Sequence, residues 1–341
     1  MTLNHKFTYK FIIISFFLIL LSGCRKEDFD LNYSHARVEV VLSPGGVGDQ
    51  GYNDMILRGL QQASAKYGFT LAIHIPEVKE QGFDIYQDWL NTPVDDACKR
   101  SLFVFAGSEY QYLLEAISRP IDSRMDVLMF ETDREFDGIY TFNVGCYATS
   151  YLAGATSVLE NEGHEQKALI IAANPHDKQV KRAVDGYRDG YLAAGGDACD
   201  VHYLSQDPDG GYRMQDEAYR FCMENDGNYI YYFSAAGASN KGVYRFSRES
   251  LNLAVGMDDD MGFFSSMLSM SVVKHMDKVI VDMLALLLEN RNIPYHHKFT
   301  YSSGYEELVF STGITEDWFL DISDIKKRII EIEQRYEESN Q

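Results

Sequence analysis

"ARVEVVLSPGGVGDQGYNDMILRGLQQASAKYG", residues 36–68, decides the fold. "ARVEVVL" (36–42) is a short apolar run rich in valine, which reads as a buried strand. Four glycines then fall within nine residues, and "MILRGLQQASAKYG" (55–68) carries apolar residues at helical spacing up to Gly68, a helix-stopping signal. A strand, a glycine-rich loop and a helix make the first half of a βαβ unit, and "FTLAIHI" (69–75) supplies the next strand.

The alternation continues along the chain. "SLFVFAG" (101–107), "DVLMFET" (126–132), "KALIIAA" (167–173), "NYIYYFSAAG" (228–237) and "LNLAVGMD" (251–258) read as strands. "YQYLLEAI" (110–117), "ATSYLAGATSVLE" (148–160), "VKRAVDGYRDGYLAAG" (180–195), "GVYRFSRES" (242–250) and the long run 267–290 read as helices. The predicted class is α/β: two Rossmann-like lobes with parallel sheets covered on both faces and joined by a multi-strand hinge. Ligands of such sheets bind beyond the carboxyl ends of the strands. There the sequence offers the 43–53 loop, Gly107 and Ser108 in "AGSEY", "ETDREF" (131–136), Gly237 in "SAAGASNKG" and Asp258 in "GMDDDMG".

The opening loop lacks the Gly-Lys-Ser/Thr ending of a Walker A loop, and Asp49 would repel a phosphate. Asp49, Tyr52 and Asn53 instead offer a carboxylate acceptor, an aromatic face and an amide. Two readings of that trio stay open on the residues alone. Asp49 or Asn53 caps the helix and Tyr52 packs on it, or the three face a neutral ligand with hydroxyls and a flat ring.

The chain ends set the compartment. Lys6 and Lys10 precede "FIIISFFLILL" (11–21), too short for the roughly 20 apolar residues of a spanning helix, and "LSGC" follows. This resembles a lipoprotein signal: residues 1–23 as signal peptide, Cys24 as lipidation site, and 24–35 as tether, anchoring the protein to a bacterial membrane, periplasmic or on the outer surface. The full chain has 31 Lys+Arg against 51 Asp+Glu, a formal charge of −20, and loss of residues 1–23 would make it −22. Such a surface disfavours nucleic acid and anionic lipid. Cys98, Cys146, Cys199 and Cys222 form no C-x-x-C pair, leaving a Cys199–Cys222 disulfide or buried free thiols. No elbow serine, zinc motif, EF-hand loop or other enzymatic constellation is present, and no cofactor or metal is expected. His296-His297 reads as an exposed loop, and "IKKRIIEIEQRYEESN" as an amphipathic helix docking on a lobe through Ile325, Ile329, Ile330 and Ile332.

Asp49-x-x-Tyr52-Asn53, "YATSYLAGA" (147–155), "YYFSAAGASNKGVYRFSRE" (231–249), and "AVGMDDDM" followed by "LSMSVVKHMDKVIVDML" occur in order from about Val38 to Leu288. Together they resemble the basic membrane protein (BMP) family of substrate-binding lipoproteins, with the type I periplasmic-binding-protein fold. The chain departs from the family in Tyr52, usually Phe, in lacking Glu-Gly at the start of 147–155, and in the loose match of "AGSEY". The resemblance implies a nucleoside ligand, often a purine nucleoside, delivered to an ABC permease without catalysis. It also implies site roles. Tyr52 and Tyr212 would stack on the base, Asp49 and Asn53 would read its edge, Asp258 would accept ribose hydroxyls, and Lys274, on the return helix, would donate to ribose or base. A sugar-binding protein, a sensory lipoprotein and, from another class, a nucleoside hydrolase are the competing readings. The expected lobes are 36–145 with 259–297, and 146–258 with 298–341.

Overall fold

The computed structural model describes residues 35–340 apart from 45, 114, 116–117, 161–162, 164, 290–292 and 312–319. The signal segment, Cys24 and the tether to residue 34 lie outside the described residues.

The first sheet is built from β1 (Ala36–Leu42), β2 (Thr70–His74), β3 (Arg100–Ala106), β4 (Met125–Phe130) and β5 (Tyr140–Val144), with α1 (Tyr52–Tyr67) and α2 (Lys79–Asn91) between its early strands. The chain then passes into α3 (Tyr147–Thr156) and the second sheet. There β6 (Lys167–Ala172), α4 (Lys178–Ala193), β7 (Ala198–Tyr203), α5 (Gln215–Glu224), β8 (Tyr231–Ala235), α6 (Asn240–Ser250), β9 (Leu253–Asp258) and β10 (Leu268–Lys274) follow in order. It returns through α7 (Met276–Leu288) and β11 (His296–Phe299), crosses again into β12 (Glu306–Phe310), and ends in α8 (Ser323–Ser339). The strand orders are β11-β5-β4-β3-β1-β2 and β12-β10-β9-β8-β6-β7, six strands each. All pairings are parallel except that of β12 with β10.

The period of two in each strand sends alternate side chains into two cores. Val38, Val40 and Leu42 of β1 pack with Leu102 and Val104 of β3 under α1 and α7, whereas Val41 joins Phe103, Phe105, Tyr86 and Trp89 on the other face. The second sheet repeats this with Ile170 on one face and Leu169 and Ile171 on the other. Each fully buried large apolar side chain contributes about 1.5–3 kcal/mol. Helices α3 and α4 approach closely because Gly154, Gly186 and Gly190 face backbone; a Cβ at Gly154 would sit on the carbonyl of Tyr187.

Several expectations from sequence are corrected. The run 267–290 is not one helix: its first part is β10, buried along its whole length, and only 276–288 is helical. A continuous apolar run does not distinguish a strand buried on both faces from a buried helix. Lys274 therefore ends a strand and does not lie on the return helix. The chain also leaves the second sheet after residue 274, later than the expected boundary at 259. His296-His297 is edge strand β11 paired with β5, not an exposed loop. Residues 108–112 form a 3-10 turn where a helix over 110–117 was expected. On α8, Ile329 is buried but Ile330 is exposed. Of the two readings left open for the cysteines, free thiols hold at Cys98, Cys146, Cys199 and Cys222.

Candidate functional site

The carboxyl ends of both sheets face one cavity of about 620 Å³ between the lobes, within the range of small-molecule pockets. Asp49, Tyr52, Asn53, Gly107, Ser108, Tyr212, Gly237, Asp258 and Lys274 all line it.

The opening loop is knitted by its own aspartates. Asp49 accepts the backbone N–H of Gly51 at 2.9 Å, Asn53 at 2.8 Å and Asp54 at 3.2 Å, and Asp54 accepts those of Gly48 at 2.6 Å and Gln50 at 2.8 Å. Gly46 and Gly48 take left-handed φ values of 71° and 86°, open to glycine without strain. Asp49 is thus committed to the start of α1, and the capping reading holds for it. Tyr52 and Asn53 are different. Among the described residues the buried Tyr52 hydroxyl and the Asn53 Oδ1 have no hydrogen-bond partner, and Asn53 is only 4% exposed. Burial, then the negative charges of Glu131, Glu109, Asp258 and Asp177, hold the Tyr52 phenol well above its ordinary value.

From the facing lobe, Lys274 at the end of β10 is 3% exposed and pairs with the buried Glu131 at the end of β4. Burial is the largest influence and works against its charge, but Glu131, Cys146 and Asp258 together more than offset it and its pKa is raised. Asp258 ends β9 with φ 76° and Glu131 has φ 60°, so two carboxylate residues occupy left-handed backbone at the cavity wall. Strain of this kind collects at functional sites. Asp258 forms no side-chain hydrogen bond among the described residues. Burial, with Asp49, Glu131 and Asp259 nearby, pushes it up to about 7 despite Lys274.

Asp177 joins the lobes. Its Oδ1 caps α4 by accepting Gln179 N–H at 2.7 Å and Val180 N–H at 3.3 Å, while its Oδ2 accepts the hydroxyls of Ser108 and Tyr212, each at 2.8 Å. Gly237, φ 55°, lies under Tyr212; a Cβ there would come within 3.2 Å of its ring. Gly107 likewise leaves room for the Glu109 carboxylate. The lobes also meet through Lys79–Asp209, Arg58–Asp259 at 3.0 Å, Arg182–Asp133 at 2.9 Å, and Lys241 Nζ donating to the Gly48 carbonyl at 2.7 Å. They are closed on the cavity.

Glu109, Glu131 and Asp177 were not among the sequence-derived site residues. The first two stand at strand ends that the topology rule had already flagged; Asp177 sits in "NPHDK" after β6, where the helix-capping signal hid its second contact. Among the described residues no group of three or more His, Cys, Asp or Glu could hold a metal ion, and no helix is long and apolar enough to cross a membrane.

Comparison with known proteins places this geometry. No curated protein matches the chain. A solute-binding protein of an ABC transporter system from Aeropyrum pernix K1 superposes with a TM-score of 0.70 at 17% identity, covering 89% of this chain and 92% of that one. A transcriptional activator of the comK gene from Bacillus halodurans gives 0.66 at 17% identity, covering 90% and 99%. An ABC transporter solute-binding protein from Burkholderia graminis in complex with D-arabinose gives 0.60 at 15% identity, covering 83% and 99%. At these identities the likeness is one of fold. The sequence model for Bmp, described as ABC transporter substrate-binding protein PnrA-like, matches residues 36–312. Members of that family bind a small molecule outside the cytoplasm for an ABC permease and are not enzymes. The chain belongs to this PnrA-like family of ABC transporter substrate-binding proteins.

Proposed function

We propose that the protein captures a nucleoside in the interlobe cavity, hands it to its permease, and is held at the membrane by lipid on Cys24. The observation that carries the ligand assignment is the meeting in one cavity of Tyr52 and Tyr212, from opposite lobes, with the unpartnered carboxyl of Asp258. Aromatic rings suit the faces of a base, contributing on the order of 0.5–1.5 kcal/mol for each stacked pair beyond area burial. A carboxylate suits a ribose diol. Asp49 is withdrawn from this role because its oxygens serve the backbone. Hinge closure then buries the ligand, with Ser108–Asp177 and Lys79–Asp209 forming as the lobes meet.

A thermal-shift panel of nucleosides, free bases, D-arabinose and other sugars, and nucleotides tests this. A nucleoside at about 100 times its Kd should stabilise the fold by about 2.7 kcal/mol. A shift with sugars alone, or steady cleavage of inosine to its base, overturns the reading. For the anchor, Cys24→Ser should abolish lipid labelling and leave unprocessed precursor; a variant that still partitions into detergent phase refutes lipidation.

A further inference from the structure

Glu109 is a carboxyl at the cavity wall that no partner completes. It follows Gly107 at the end of β3, its Oε1 is buried without a hydrogen-bond partner among the described residues, and only its own backbone N–H and the Ser43 hydroxyl bond the group. Its charged neighbours are Asp177 and Asp209, both negative. Of the cations on the cavity wall, Lys79 is committed to Asp209, Lys274 to Glu131, and Arg213 is exposed. Two further acceptors on the wall, Asn53 Oδ1 and Gln179 Oε1, are also buried and unpartnered. A wall of buried acceptors calls for a ligand that brings donors, because each acceptor left bare forfeits its hydrogen bond. The same wall repels an anion.

The cavity has two ends. Asp258 ends β9 beside β10, whose Lys274 pairs with Glu131, whereas Glu109 follows β3 next to Ser108, which bonds Asp177 in the turn after β6. Tyr52 feels Glu109 and Asp258 both, and Tyr212 feels Glu109 and Asp177. With the sugar at Asp258, a base stacked along the tyrosines would turn its far edge toward Glu109.

We propose that Glu109 is the specificity-determining residue, its carboxylate accepting two adjacent N–H groups from a 2-amino-6-oxopurine, so that the ligand is an uncharged guanosine-type nucleoside. This rests on the nucleoside reading above. Guanine sets N1–H and the 2-amino N–H side by side, matching the two oxygens of a carboxylate. Hypoxanthine offers only N1–H at that edge, and adenine turns its N1 acceptor toward the carboxylate. A site built to accept a ligand N–H discriminates strongly against the analogue that lacks it.

Calorimetric titration of the full chain and of Glu109→Gln with guanosine, 1-methylguanosine, inosine, adenosine and D-arabinose decides the matter. Guanosine should bind wild type about 10- to 100-fold more tightly than inosine, the range for one hydrogen bond to a charged group. Adenosine and 1-methylguanosine should be weaker than guanosine as well. Glu109→Gln should bring guanosine within a few-fold of inosine. Wild type that binds inosine or 1-methylguanosine as tightly as guanosine refutes the role of Glu109 while the nucleoside reading stands, whatever the variant does. Discrimination that survives in a folded Glu109→Gln refutes it too. If D-arabinose binds and no nucleoside does, both readings fall together.

Discussion

Asp258→Asn should make the ligand-free protein more stable, and more so at pH 8 than at pH 5. The carboxyl is half-buried at the wall of the closed cavity and pushed up to about 7 from an ordinary 3.8. A group whose folded pKa is raised contributes stability that is fully present below the unfolded value and is lost as pH rises through the folded one. At about 1.36 kcal/mol for each pH unit between the two, the cost of Asp258 is about 1.6 kcal/mol at pH 5 and levels off near about 4.4 kcal/mol above pH 7. Asparagine has no such cost. It also tolerates the left-handed φ of 76° at this position, so the exchange adds little backbone strain. The gain of the variant over wild type should therefore be about 3 kcal/mol larger at pH 8 than at pH 5. Glu109, Glu306 and Glu333 titrate in both proteins and largely cancel in that difference. Urea unfolding of both proteins at the two pH values measures it. An equal gain at both, or a loss at pH 8, refutes the claim that Asp258 is held in the folded protein as a desolvated carboxyl. The same variant should lose nucleoside affinity, and leave free-base affinity almost unchanged, if its oxygens take ribose hydroxyls.

Three other outcomes are expected. Tyr52→Phe removes a buried hydroxyl without a partner and should raise ligand-free stability by about 1 kcal/mol with little effect on affinity; a destabilised protein in a thermal melt would show that the hydroxyl is bonded. Glu306, buried near Glu333 where the chain crosses into β12, is pushed up to about 8 by burial and by that second carboxylate. Glu306→Gln should therefore gain about 4 kcal/mol on wild type between pH 5 and pH 9, and a pH-independent difference in urea midpoint would contradict this. Gly154→Ala drives a methyl into the Tyr187 carbonyl and should cost about 3 kcal/mol, measured by the same unfolding; a neutral change would mean α3 and α4 separate freely.

The sequence announced the sheets more clearly than their borders. Runs such as "ARVEVVL" and "KALIIA" are apolar throughout because both faces of a parallel sheet are covered, and that pattern is visible without coordinates. The same property hid β10, whose fully buried residues look like the helix that follows, and so Lys274 was placed on the wrong element. Edge strands were less legible still: "HHKF" in β11 is half-buried and polar, and nothing local marks it as a strand. In the site, the strand-end rule and the family resemblance together chose nine residues, and all nine line the cavity. It could not tell a residue facing the cavity from one turned to its own loop. Asp49 and Asp177 are both aspartates beside helix starts, yet Asp49 is spent on three backbone amides, while Asp177 keeps an oxygen for two hydroxyls.

The last strands of the chain complete both sheets. β11 closes the edge of a sheet begun at Ala36, and β12 closes the edge of the other, with α8 then packing on α3 and bringing Glu333 to the Tyr301 amide at 3.1 Å. Neither lobe is encoded by one uninterrupted stretch, so neither can be cloned, swapped or inherited as a cassette without losing an edge. The contact order is correspondingly high, and such chains fold slowly because distant segments must meet before their pairing is rewarded. A fold of this kind stays open, as a molecule, until nearly its whole length has been made.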